Sequence, residues 1–160
     1  MIYKPGDFVL VHGDGFFDKI IQFGQGLRFP KQDAYFNHVA LVITPDGDLI
    51  EALAAGVKQT HLSKYNNRFK YVAISASDQD REEVALFAKS RLSDGYGWTT
   101  IVSTAICLLF GLKFSFGFDS EDICSGLVAR SLERTAAIFP RDSRHMTPAD
   151  LAAYYDNITP

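Results

Sequence analysis

Residues 36–53 constrain this chain more than any other stretch: FNHVALVIT, then PDGD, then LIEAL. The two outer runs are rich in Val, Ile and Leu, which suit a pleated, half-buried surface, and the Pro, Asp and Gly between them supply turn geometry. Two antiparallel strands joined by a tight turn are expected, with Asp46-Gly47 as its central pair. In that register Glu51 stands opposite Val42 and His38 opposite Ala55, several residues apart. A shifted register or a bulge is then needed to bring Glu51 beside His38.

Around this hairpin the pattern alternates between strand and helix. Residues 7–11 (DFVLV) and 70–75 (KYVAIS) read as further strands. Phe16, Phe17, Ile20, Ile21 and Phe23 approximate helical spacing up to Gly24, whereas residues 27–35 read as loop. Ser77 or Asp78 caps an expected helix running to Arg91, with Val84, Leu86, Phe87 and Leu92 as its apolar members. Residues 123–134 form another helix, with Leu127, Val128 and Leu132 on one face. A last short one starts near Thr147-Pro148, Thr as cap and Pro in the first turn. Strands early and helices mostly late indicate an α+β fold, and 160 residues at 47% hydrophobic content suit one domain spanning 1–160.

Composition excludes several functions. The net charge is only −3, with 22% charged residues, so no basic stripe exists to neutralise a nucleic-acid backbone. Two cysteines, Cys107 and Cys124, are too few for a disulfide framework and lack the close paired spacing of zinc sites; both read as reduced thiols. The longest apolar stretch, 101–116, is interrupted by Ser103, Thr104, Gly111, Lys113 and Ser115. It is short for a bilayer span and reads as a buried helix rather than an integral membrane segment. The opening MIYKPGDFVL has no basic n-region, apolar h-region or small-residue cleavage site, which leads to the expectation of cytoplasmic synthesis without a signal peptide.

The chemistry centres on Cys124. In the first turn of its helix, sulfur lies near unpaired backbone N–H groups and the positive end of the macrodipole, which favours thiolate, and the same amides are candidates for an oxyanion hole. Asp119, Glu121 and Asp122 oppose thiolate formation if they point at sulfur, so a neighbouring imidazolium has to contribute. Cys107, inside TAICLLFG, reads as a small buried hydrophobe. His38 shares a strand face with Phe36, Ala40 and Val42, an apolar setting in which a histidine is commonly a core residue. His12, next to glycines after the first strand, is a weaker candidate to line a cleft; His61 and His145 sit in polar, surface-like surroundings.

The segment CSGLV at 124–128, preceded by GYGW at 95–98, resembles the nucleophile region of NlpC-type papain-fold cysteine peptidases and amidases. NHVALV at 37–42 followed by LIEA at 49–52 resembles their histidine strand and the strand carrying the third polar residue. His and Glu precede Cys here, an order similar to the circularly permuted branch typified by YiiX-like proteins and, more remotely, lecithin–retinol acyltransferase-like enzymes. The opening PGDFVL and the late TPADL also look like that branch. In one respect the chain departs from it: the common motif has Asp directly before Cys, whereas Ile123 stands here and Asp122 lies one position earlier.

The resemblance implies a papain-like fold, permuted, with a small antiparallel sheet packed against the nucleophile helix. It implies Cys124 as nucleophile, His38 as base, Glu51 as the residue orienting His38, and Tyr96 at a position whose hydroxyl lies near the nucleophile for oxyanion or substrate binding. The mechanism that follows is attack on an amide or ester carbonyl through a thioester acyl-enzyme. Neither metal nor organic cofactor is required, and the expected partner is a small-molecule, peptide or lipid acyl substrate. Two alternatives stay open: a thiol acyltransferase passing the thioester to a lipid or amine acceptor, and a non-catalytic binding module of the same fold. A Glu51 exposed on its strand is the reading that would remove it from the site.

Overall fold

The computed structural model describes residues 2–13, 19, 22–23, 25–53, 55–66, 68–92, 95–96, 121–122, 124–135, 137, 139 and 142–158. Over these the chain is α+β, with a five-stranded antiparallel sheet and four helices. The strands are β1 (Phe8–Val11), β2 (His38–Val42), β3 (Asp48–Leu53), β4 (Gly56–His61) and β5 (Phe69–Val72), in spatial order β4-β3-β2-β1-β5. The helices are α1 (Lys31–Ala34), α2 (Asp78–Ser90), α3 (Cys124–Leu132) and α4 (Pro148–Ile158). Two short strands, β6 (Gly95–Tyr96) and β7 (Glu121–Asp122), pair in parallel.

Alternation along the strands builds two apolar layers. Phe8, Leu10, Val39, Leu41, Ile50 and Ala52 face α2, α3 and α4, joining Val84, Ala88, Leu127, Val128, Leu132 and Leu151 in the larger core. Val9, Val11, Ala40, Val42 and Leu49 form a smaller cluster on the other side with Leu62, covered by Tyr3, Tyr65, Phe69 and Tyr71. Leu41, Ile50, Leu127 and Leu132 are fully buried, each such side chain contributing roughly 1.5–3 kcal/mol of transfer free energy. The helix that begins at Cys124 is thereby pressed onto the centre of the sheet.

Several local expectations are corrected. The strand expected over 36–44 begins only at His38, and Phe36 packs against the larger core, so alternation does not carry it onto the side of Ala40 and Val42. Within 27–35, Lys31–Ala34 is one helical turn rather than loop, entered from Pro30. Of the segment expected to be helical up to Gly24, Lys19, Gln22 and Phe23 have helical backbone, which recurs at Gln25 and Gly26. Strand β4 was not anticipated; a tight turn returns the chain from Leu53 to Gly56, whose φ of +98° a glycine adopts at least cost.

The hairpin register is the correction that bears on function. Instead of a two-residue turn, four residues, 44–47, lie inside the closing Ile43–Asp48 pair: the Ile43 N–H donates to the Asp48 carbonyl at 2.9 Å, and Gly47 sits at φ +98°. Thr44 fixes this loop, its hydroxyl donating to Asp48 Oδ2 at 3.1 Å and accepting from the Asp48 N–H at 3.0 Å. Leu41 then pairs with Ile50 and Val42 with Leu49, two residues off the expected register. Continuing that pairing sets Glu51 across from Ala40, so Glu51 and His38 become diagonal neighbours on one face, within reach of long side chains.

Helix ends follow their sequence signals. Ser77 and Asp80 make a reciprocal capping box at the start of α2. Thr147 and Asp150 do the same before α4, with the Thr147 N–H on Asp150 Oδ2 at 2.8 Å and the Asp150 N–H on the Thr147 hydroxyl at 3.2 Å. Buried Gln25 ties the Phe36 carbonyl to the Ala149 N–H at 2.8 and 2.9 Å, locking the approach to β2 against α4. Among the described residues no helix is long and apolar enough to cross a membrane; the stretch 101–116 and Cys107 lie outside the described residues.

Candidate active site

Three elements converge on His38. Its strand start is fixed by fully buried Asn37, whose side-chain amide donates to the Gly13 carbonyl at 2.9 Å and accepts from the Gly13 N–H at 2.7 Å. The ring Nε2 lies 2.6 Å from Glu51 Oε2. A carboxylate only accepts, so Nε2 carries the hydrogen, leaving Nδ1 as the nitrogen available to sulfur. The Cys124 side chain, at the first residue of α3 and 4% exposed, hydrogen-bonds and attracts that ring from the other side. Ser125 anchors the same helical turn, its hydroxyl donating to the Met146 carbonyl at 2.6 Å.

Glu51 is not on the surface: it is 0% exposed. Its Oε2 accepts from His38 Nε2 and from the Tyr65 hydroxyl, and its Oε1 from the Thr60 hydroxyl and the Lys64 ammonium. Four donors on two oxygens match the lone-pair capacity of a carboxylate, which is how a buried one is kept ionised. Burial by itself raises this carboxyl, but the bonds from His38, Lys64 and Thr60 outweigh it and hold it at about 2. For His38 burial pushes the opposite way, against the charged ring; attraction to Cys124, the bond to Cys124 and then Glu51 overcome it and lift the imidazolium to about 10.

Sequence reasoning did not find Thr60, Lys64 or Tyr65. Thr60 comes from unanticipated β4, where it pairs with Leu49 and so projects on the same face as Glu51. Lys64 and Tyr65 come from one 3-10 turn, Leu62–Tyr65, which His61 caps and Asn66 ends in a left-handed conformation at φ +47°. The four-residue turn LSKY carries no periodic signal; only the Asn-Asn pair after it marks a chain reversal. The Tyr65 ring lies 6.2 Å from the His38 ring, and the Lys64 ammonium lies 4.9 Å over the Tyr65 ring.

Tyr96 is placed by its backbone alone: it pairs with Asp122, two residues before Cys124. Its side chain, like Gly97 and Trp98, lies outside the described residues. His12 stacks on Tyr35, ring centroids 4.2 Å apart, with Nδ1 2.8 Å from the Tyr35 carbonyl. His61 is exposed and engages Ser63 and the Asp46 carbonyl. Among the described residues no group of three or more His, Cys, Asp or Glu side chains is arranged to hold a metal ion.

What this arrangement can do chemically is move one proton. A thiol, an imidazole and a carboxylate lie in series, with the ring held in a single tautomer by its acidic partner. No family model matches the sequence, and comparison with curated proteins returns no match.

Proposed function

We propose that this chain is a cysteine hydrolase of the amidase or peptidase type, built as a circularly permuted papain-like fold, with Cys124 as nucleophile, His38 as base and Glu51 as its orienting partner. The observation that carries the reading is His38 held between Cys124 and Glu51. A core histidine needs one satisfied nitrogen on each side, but not a thiol at a helix start on one and a fully ligated carboxylate on the other. The order His, Glu, Cys and the CSGLV and NHVALV segments support it independently.

In this mechanism Cys124 sulfur attacks the carbonyl of an amide or ester while the proton resides on His38. The tetrahedral oxyanion is met by backbone N–H groups at the start of α3, which the helix leaves without internal partners. His38 then returns its proton to the leaving nitrogen or oxygen, the thioester forms, and water activated by the now neutral ring completes hydrolysis. Moving the proton from Cys124 to His38 leaves the net charge of the cluster unchanged, so what favours a protonated ring is the carboxylate of Glu51 hydrogen-bonded to it.

Intact-mass and peptide analysis during an iodoacetamide titration across pH tests this without a known substrate. Cys124 is expected to alkylate at least about tenfold faster than Cys107 in the folded protein, since an imidazolium lies beside Cys124. Equal rates would remove it as the nucleophile.

A further inference from the structure

His38 alternates between charged and neutral during such a cycle, and Glu51 does not. When the Nδ1–H bond breaks and the proton passes to the leaving group, the imidazolium that had balanced Glu51 becomes neutral. A carboxylate at 0% exposure would then stand without a counter-charge, which is costly in a desolvated site. The Lys64 ammonium on Glu51 Oε1 is a second cation that takes no part in proton transfer, and it lies on the oxygen His38 does not use. The neutral donors, Thr60 and Tyr65, satisfy lone pairs but bring no charge.

We propose that Lys64 is a positioning residue for the Cys124–His38–Glu51 site, the permanent counter-charge that keeps Glu51 a carboxylate while His38 gives up its proton. The inference rests on the proposed hydrolase reading, and it assigns the Leu62–Tyr65 turn a part in that site. The geometry suits the task. The Lys64 side chain is 37% exposed against none for Glu51, so the stem reaches from solvent while its head enters the network. The Tyr65 ring beneath the ammonium restricts where the head can go. Among the described residues, the titratable groups facing this cluster are Cys124 and Glu51 at the His38 ring, and Lys64 and Tyr65 at Glu51; Lys58, paired across from Glu51 on β4, is exposed.

Removing the Lys64 charge makes the neutral form of His38 harder to reach. In Cys124→Ala protein, where sulfur no longer influences the ring, NMR titration of the His38 ring protons should show Lys64→Met raising the midpoint by roughly one pH unit, the size expected for a nearby charge in a desolvated site. Lys64→Arg should stay close to the parent, and Lys64→Gln, which keeps a donor without charge, should shift like Lys64→Met. An unmoved or lowered midpoint in Lys64→Met, or a parent-like Lys64→Gln, overturns the proposal and leaves Lys64 a structural tether. With Cys124 restored, hydrolysis of the acetyl-enzyme formed from p-nitrophenyl acetate should slow about tenfold at neutral pH in Lys64→Met, matching one unit of midpoint. Failure of the parent to acylate at Cys124 would instead count against the hydrolase reading, and the ring titration would still decide the role of Lys64.

Discussion

Two buried carboxylates are built into this sheet, and they differ in whether their cationic partner can exchange a proton. Asp7, before β1, is 1% exposed and meets Arg81 Nη1 at 2.8 Å, the Ile74 N–H at 2.9 Å and the Tyr71 hydroxyl. Arg81 in turn donates to the Pro5 and Ile74 carbonyls at 2.9 and 2.5 Å. Glu51, on β3, is as deeply buried and accepts from four donors where Asp7 accepts from three. The difference lies in the cationic partner. A guanidinium keeps its proton in proteins, so the Asp7–Arg81 pair acts as a clamp holding the chain start and the β5–α2 connection together. An imidazole with a thiol on its far side can exchange one, so the Glu51 pair can serve a reaction. Full satisfaction of a buried acid therefore does not by itself mark a functional site; a partner able to give up its proton is what sets the Glu51 pair apart.

That contrast predicts opposite phenotypes. Arg81→Met leaves Asp7 buried without its charge partner and should lower unfolding free energy by about 3–5 kcal/mol, read from urea transitions, while the folded fraction keeps selective alkylation of Cys124. Cys124→Ala should do the reverse, removing all turnover while changing stability by only about 1 kcal/mol, within the ordinary range for a small buried truncation. If Arg81→Met lost selective alkylation in folded protein, or Cys124→Ala unfolded the chain, the division between clamp and site would be wrong.

A smaller effect distinguishes Glu51 from a purely packing residue. Glu51→Gln keeps the shape and removes the charge that helps hold the His38 proton, so the Cys124 alkylation profile should move to higher pH and turnover at neutral pH should fall about tenfold, the equivalent of one unit of ring titration. Because Cys124 and Glu51 both favour the charged ring of His38, Cys124→Ala and Glu51→Gln should each lower the ring midpoint. Equal alkylation profiles in Glu51→Gln and parent would leave His38 oriented by something else.

How much of this was legible in the sequence follows from what each signal encodes. The hairpin, the Ser77 and Thr147 caps and the helix at Cys124 rest on local chemistry, periodicity or a cap side chain, and they appear within a residue or two of where they were expected. Register does not rest on local chemistry alone. Asp46-Gly47 reads as a two-residue turn, but Thr44 closes on Asp48 and lengthens the loop to four, sliding Glu51 two positions toward His38. Thr60, Lys64 and Tyr65 were hidden because their role depends on where β4 returns, a tertiary fact that GVKQTH and LSKY do not announce. The Asp7–Arg81 clamp spans 74 positions, beyond any spacing rule.

The finest separation between the two regions is in how each responds to pH. Glu51 is depressed in the folded state, so its contribution to stability is present above its unfolded value near 4.5 and is lost as pH falls toward about 2. At the clamp the contrast lies in Tyr71. Burial, then its hydrogen bond to Asp7, raises it to about 12, so its contribution is present below its unfolded value near 10 and is lost as pH rises through 12. The site should therefore weaken the fold on the acid side through Glu51 and also between about 6.5 and 10 through His38, whose raised value makes its contribution one that is lost as pH rises, whereas the clamp acts only above 10 through Tyr71. Asp142, held at about 2 chiefly by its hydrogen bond to Arg144, adds to the acid limb, but both partners are over 40% exposed, so water screens most of that effect. Stability measured in urea from pH 2 to 12 should then show Glu51→Gln reducing the acid limb and, by loosening the hold on the His38 proton, the loss between about 6.5 and 10, with the limb above pH 10 unchanged. Tyr71→Phe should flatten the limb above pH 10 with the acid limb unchanged. A Glu51→Gln protein that kept its full acid limb would mean that Glu51 is no better stabilised in the fold than in the unfolded chain, and the buried carboxylate would then have no measurable hold on His38.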